Sequence, residues 1–323
     1  MPTRGWKTLL RFAVLLLLGP AACGSVDSPS TDRDARAPTE MGPDGGDASL
    51  PASCDLRHPF GTPTPIAAAN SANWDSWGTL SRDRLTLYLT SNRSEVDWNL
   101  YYATRPDVDS PFAAPAPLPN LSTSERSELN PVLTRDDLTL FFPGMATGST
   151  TTDTYIATRS NVATAFQRPE PLLNVNDTRA NDSVSYVNPT ASTLYLTSDR
   201  AGNPDIYRST RRGAEAPFDA PQPVGELNDA AAADESAVLT SDELTVFFWS
   251  NRQGGAGCWD ILVATRSTLD DGFGRPTFVS ELNTPNCEGP TWVSPDGCDL
   301  LFTSNRPGGS GEFDLWLTSR RSP

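Results

Sequence analysis

The chain has 323 residues and a formal net charge of −15. So acidic a surface lacks the Lys/Arg cover that displaces counterions from phosphate, which argues against a nucleic-acid partner. Lys7 and His58 are the only lysine and histidine, so a Ser-His-Asp triad, a histidine-rich metal site and a Schiff-base lysine are nearly excluded from the folded part.

Arg4, Lys7 and Arg11 precede the apolar run Phe12-Ala13-Val14-Leu15-Leu16-Leu17-Leu18, and Gly19-Pro20-Ala21-Ala22 leads into Cys23. This predicts a signal peptide over residues 1–22, too short to stay as a membrane-spanning helix. Ala21-Ala22-Cys23-Gly24 resembles a bacterial lipoprotein box, which implies lipidation at Cys23. Ordinary cleavage, leaving Cys23 free or disulfide-bonded, is the alternative. Residues 23–53 are rich in Asp, Pro, Ser and Gly and nearly empty of large apolar side chains. Such a segment buries too little surface to offset its ordering entropy, so a disordered, lipid-anchored linker is expected.

Beyond it a unit repeats. Leu194-Tyr195-Leu196-Thr197-Ser198-Asp199-Arg200 has relatives starting at Leu87, Leu140, Val246 and Leu300, at successive intervals of 53, 54, 52 and 54 residues. Each is followed by an Asp-Ile-Tyr-Arg-like stretch, as at Asp205–Arg208. Several short strands in such a period read as propeller blades rather than helical repeats. Within one unit we expect four strands. Strand A is short. A turn of the Asp/Gly/Pro type leads into strand B, which is apolar throughout because sheets pack on both its faces. Strand C alternates, and strand D contains proline, which suits a sheet edge.

Strands A, B and C occur five times, but the fifth strand D is missing after the last strand C. Pro59-Phe60-Gly61-Thr62-Pro63-Thr64-Pro65-Ile66 copies Pro217–Val224. The sequence therefore predicts one all-β domain over 54–323, a five-bladed propeller in which the segment around Phe60 completes the last blade beside Trp316 and closes the ring. On this topology Cys258 and Cys287 fall on the face of the B–C and D–A loops. Cys54 and Cys298 fall on the face of the A–B turns. Disulfides Cys258–Cys287 and Cys54–Cys298 are expected, the second latching the closure. A zinc site would need all four thiols at one point.

The repeat, clearest in Glu281–Arg320 with its Ser-Pro-Asp-Gly (294 to 297), Ser-Asn-Arg and Asp-Leu-Trp, resembles the TolB-type, WD40-like β-propeller repeat. Blade two departs from it, with Pro143-Gly144-Met145-Ala146 in place of Ser-Asn-Arg. The resemblance implies an exported propeller of the cell envelope, in the periplasm or at the surface as an outer-membrane lipoprotein, that binds a partner, commonly protein.

One acidic residue per blade opens strand A: Asp75, Glu128, Asp182, Glu235 and Glu288. Two readings stand. The carboxylates pair with the arginines that close strand B (Arg93, Arg200, Arg252, Arg306), or they form a cation site or a glycosidase centre like that of five-bladed arabinanase-like enzymes. Four arginines facing five carboxylates suggest that Glu128 or Asp182 is left for an external cation. A second set, Asn99, Asp153, Asp205, Asp260 and Asp314, opens strand C and reads as turn caps or, with the Gly-rich loops, calcium ligands. No cofactor is expected, Ca²⁺ being the one ion these carboxylates would suit. Trp74, Trp77, Trp98 and Trp259 fall on the same face, where they pack between blades or present a surface to a protein or a sugar ring. The expected function is non-catalytic binding by a monomer through this loop face, with a glycan-binding protein or glycosidase as the alternative.

Overall fold

The computed structural model describes residues 54–94, 97–213 and 216–321; the expected signal peptide, Cys23 and the expected linker over 23–53 lie outside the described residues. Five antiparallel sheets follow one another along the chain. Blade one comprises Asp75–Leu80, Thr86–Ser91, Asn99–Thr104 and Ala116–Pro117. In blade two, strand A is split into Arg126–Glu128 and Val132–Leu133, followed by Thr139–Ala146, Asp153–Thr158 and Glu170–Pro171. Blade three comprises Asp182–Val187, Thr193–Ser198, Asp205–Thr210 and Gln222–Pro223. Blade four comprises Asp234–Leu239, Thr245–Ser250, Asp260–Thr265 and Thr277–Phe278. Glu288–Val293, Asp299–Ser304 and Asp314–Ser319 form the inner three strands of blade five. Its outer strand is Thr64–Pro65.

Thr64 pairs with Leu317 and Pro65 with Trp316. The seam extends on both sides, with the Gly61 amide donating to the Ser319 carbonyl and the Ile66 amide to the Leu315 carbonyl, both at 2.9 Å. Phe60 buries itself with Trp316 and Phe302 and meets Phe247 edge-on. Closure therefore forms the last of five blade interfaces, each with its own apolar cluster. The cluster of Leu301 and Leu315 with Leu80, Leu87, Leu89 and Tyr101 joins blade five to blade one. Strand B lies between two such clusters, and Leu194, Tyr195 and Leu196 are wholly buried. Strand D pairs over only two residues in every blade, because the prolines within or flanking it remove ladder donors.

Every strand A carries a one-residue bulge against strand B, seen as the register shift between Ser76 and Thr79 in blade one. Trp77, Asn130 and Ser236 take left-handed backbone there, at φ 47°, 39° and 55°. The A–B turn also has a left-handed position in each blade: Arg84, Asp137, Ala191, Glu243 and Gly297. Glycine is cheapest there, but three of the other side chains tie their blade to the preceding one. Arg84 pairs with Asp299 at 3.0 Å, Asp137 accepts from the Arg82 amide at 3.0 Å, and Glu243 accepts from Asn188 Nδ2 at 2.9 Å. Both disulfides form, Cys54–Cys298 across the seam and Cys258–Cys287 between blades four and five.

Candidate functional site

Ring carboxylates line up at the start of strand A. In blade one the Arg93 Nε donates to the Ser91 hydroxyl at 2.9 Å, while its Nη2 donates to the Ala69 carbonyl at 2.6 Å and to Asp75 at 2.5 Å. The other Asp75 oxygen accepts from the Ser71 amide at 2.5 Å. Blade three repeats the arrangement with Arg200, Ser198, Val175 and Asp182. Blade five does so with Arg306, Ser304, Leu282 and Glu288, the last pair at 3.2 Å. Carboxylate and guanidinium together tie the incoming D–A loop to strand A, and each guanidinium lies over an aromatic ring, as Arg93 does over Tyr101 at 4.9 Å.

In blade four the ring position belongs to Asp234, not to Glu235. Asp234 meets Arg252 at 2.5 Å and accepts from the Asp229 amide at 2.6 Å. Glu235, one residue on, points to the other side of a strand whose side chains alternate. It pairs across the ladder with Trp249, and its carboxyl makes no hydrogen bond or ion pair among the described residues. Burial, with Asp199 and Asp234 nearby, raises it well above the usual carboxylate range.

In blade two the missing arginine is replaced from a different strand. Strand B continues to Ala146, and Arg126 stands directly across from Ala146. The Arg126 guanidinium lies over Tyr155 at 4.6 Å and its Nε approaches Glu128 at 3.4 Å. Asp182 is held by its own Arg200, so the surplus carboxylate inferred from counting is absent. At 3.4 Å, however, Arg126 offsets burial poorly, and the Glu128 carboxyl is pushed up to about 8, the Thr123 hydroxyl and amide opposing the shift. Asp75, Glu128, Asp182, Asp234 and Glu288 all have no solvent-exposed surface.

Of the second set, Asp260 and Asp314 cap the turns before them, accepting from the Ala256 and Gly257 amides and from the Ser310 and Gly311 amides. Among the described residues no group of three or more His, Cys, Asp or Glu side chains could hold a metal ion.

The four tryptophans do come together. The amide of each ring residue donates to the carbonyl of the residue just before strand C of the preceding blade. In chain order of the acceptors these are Trp98, Thr152, Pro204, Trp259 and Phe313, at 2.8–2.9 Å. The shared contact uses the backbone of that position, and Pro204 makes it with no polar side chain, yet in blades four, five and one the residue is aromatic. Trp259 packs on Trp249 with centroids 4.6 Å apart and reaches Phe313 at 6.2 Å. Phe313 stacks on Trp74 at 4.4 Å with planes 10° apart, and Trp98 contacts Trp74 at 5.3 Å and Trp77 at 6.2 Å. This aromatic crescent covers the B–C and D–A loop face over three blades. Trp74, Trp77, Trp98 and Trp259 are each half-buried. Phe313 and Trp249 were absent from the sequence-based set; the aromatic residue just before strand C, shared by Trp98, Trp259 and Phe313 ahead of Asn99, Asp260 and Asp314, is the signal that marks the first of them.

No protein-family model matches the chain, and no curated protein matches it in sequence. Solved structures do share the fold. The catalytic domain of the GH62 α-L-arabinofuranosidase of Coprinopsis cinerea aligns with a TM-score of 0.54 at 13% identity, over 84% of this chain and 98% of that one. Zg3597, a family 117 glycoside hydrolase of Zobellia galactanivorans, aligns with a TM-score of 0.50 at 10% identity, over 83% and 91%. TolB from Acinetobacter baumannii aligns with a TM-score of 0.49 at 16% identity, over 77% of this chain but 55% of that chain. At these identities the two glycoside-hydrolase alignments show the fold alone, and with the five sheets described above they define the protein as a β-propeller.

Proposed function

We propose that this propeller is a non-catalytic binding module of the cell envelope that engages a protein partner through its aromatic crescent. The observation that carries this reading is the pair of half-buried Trp98 and Trp259 at a position whose carbonyl is what every blade uses, with half-buried Trp74 packed between them through Phe313. Clustered, partly accessible tryptophans are common centres of protein interfaces. The ring carboxylates support the same reading. Glycoside hydrolysis needs two unlike carboxyl groups open to the substrate, whereas these are buried and four of the five are tied closely to arginine. Two disulfides suit an oxidising compartment, and the TolB-type repeat together with the lipoprotein-like box at Cys23 supports delivery to the envelope.

A second reading, glycan binding, has the same crescent in its favour, since an indole face also stacks on a sugar ring. The deciding experiment immobilises the folded domain and its Trp98→Ala and Trp259→Ala variants, then applies envelope proteins and an oligosaccharide panel with chromogenic glycosides. A defined protein retained by the wild type and lost by both variants is the expected result. Glycan retention would favour the second reading, and glycoside turnover abolished by Glu128→Gln would overturn the non-catalytic one.

A further inference from the structure

The opposite mouth of the channel holds a second candidate. Here the five strands A end at the A–B turns around a cavity of about 260 Å³. A cavity of that size suits a single small molecule. Each blade contributes the same positions. Just past the bulge stand Thr79, Val132, Tyr186, Val238 and Trp292, and next comes an aliphatic layer from Leu80 to Val293. Tyr186 and Trp292, the two large aromatics, come from blades three and five, and both are half-buried. The Tyr186 hydroxyl donates to the Thr240 carbonyl at 3.2 Å.

The cavity lining is richer in arginine than in acid, while the aspartates of the same turns, Asp83, Asp136, Asp242 and Asp296, are engaged by the Ser81, Thr134, Thr240 and Ser294 hydroxyls. At the turn position where blades three and five have Pro189 and Pro295 and blade four has Ser241, blades one and two have Arg82 and Arg135. Proline and serine there satisfy the turn, so the fold asks for no arginine. Both side chains are exposed, and neither guanidinium has an ion-pair or hydrogen-bond partner among the described residues. Arg84 also lines the cavity; its Nη1 meets Asp299 at 3.0 Å and its Nε is buried without a partner. The only acidic side chain in the lining is Asp137, whose carboxylate already accepts from the Arg82 amide. On a chain of net charge −15, Arg82 and Arg135 are two guanidinium groups, unpaired among the described residues, at the edge of an aromatic pocket.

From this arrangement we infer that the A–B mouth binds a small organic anion, a flat apolar or aromatic body carrying one carboxylate. The body lies between Tyr186 and Trp292 and the carboxylate faces Arg82 and Arg135. This site is on the face away from the aromatic crescent and does not depend on the crescent's partner.

Saturation-transfer NMR with indole-3-acetate, and with tryptamine as the cation of the same ring system, tests the inference. Indole-3-acetate is expected to bind at millimolar concentration, to weaken as salt is raised, and to be displaced by benzoate. Arg82→Gln combined with Arg135→Gln changes only exposed side chains and is expected to weaken it about tenfold. Trp292→Leu is expected to lose it, with circular dichroism reporting that the variant folds. Equal binding of tryptamine, binding unchanged in the double arginine variant, or no saturation transfer to any carboxylate probe would each overturn the assignment.

Discussion

Blade two and blade three reach the same construction by different routes, and the difference separates what the ring needs from what the repeat happens to supply. In blade three, Arg200 comes from the end of strand B and grips Asp182 at 2.5 Å. In blade two the strand runs straight on as Pro143-Gly144-Met145-Ala146, and Arg126 reaches in from strand A to stand 3.4 Å from Glu128. A cation over the tyrosine and beside the carboxylate is common to both. Close charge pairing is not, and the blades should therefore respond differently to substitution.

The largest expected effect is in blade three. Arg200→Met leaves a wholly buried Asp182 without its cation, which typically costs about 3–5 kcal/mol. Chemical denaturation should show this loss at neutral pH, and a cost below about 1 kcal/mol would mean that the ring pairs do not hold the blades together.

The second contrast is in pH. Folding raises the Glu128 carboxyl from 4.5 to about 8, so between those values the folded protein binds more protons than the unfolded chain. Stability from this group is fully present below pH 4.5 and is lost as pH rises through about 8, by on the order of a few kcal/mol. Glu128→Gln should be nearly neutral at acidic pH and increasingly stabilising relative to the wild type up to pH 9. Asp182→Asn should be destabilising at neutral pH, because it leaves Arg200 unpaired. Parallel pH profiles for wild type and Glu128→Gln would remove the distinction between the blades.

How far this was visible in the sequence depends on which spacing is followed. Blade number, closure at Phe60 and the two disulfide pairings follow from the repeat interval and from which loops share a face. Equal spacing from acid to acid, however, selects Glu235, because Asp234 and Glu235 are both acidic and an interval cannot resolve one residue. The spacing that carries the physics runs from acid to arginine, 18 residues in the pairs Asp75–Arg93, Asp182–Arg200 and Asp234–Arg252. Applied to Glu128 it arrives at Ala146, whose cross-strand neighbour is Arg126. The crescent and the arginine pair at the A–B mouth were less legible, since each depends on which residues the bulge and the turn place beside those of other blades.

A smaller effect is expected at Gly144. A Cβ there would stand 3.1 Å from Arg126 Cδ and 3.2 Å from the Tyr155 ring. Gly144→Ala should cost about 1–2 kcal/mol by displacing the substituted arginine. Ser198, which occupies the matching place in blade three, already has a side chain there that accepts from Arg200 Nε at 2.8 Å. A neutral Gly144→Ala would show that Arg126 is free to shift.

Arg126→Met is the smallest change at pH 6 and the sharpest test. At that pH the Glu128 carboxyl is mostly protonated, so removing the cation leaves a neutral buried acid with Thr123 still bonded to it. What is lost is chiefly the contact with Tyr155, about 0.5–1 kcal/mol. Above pH 8 the carboxyl ionises with no cation beside it, and the cost should grow with pH. Arg200→Met, by contrast, should be costly at both values. Denaturation of the two variants at pH 6 and pH 9 therefore gives four numbers with a required order, because only blade two can withdraw its charge by taking up a proton.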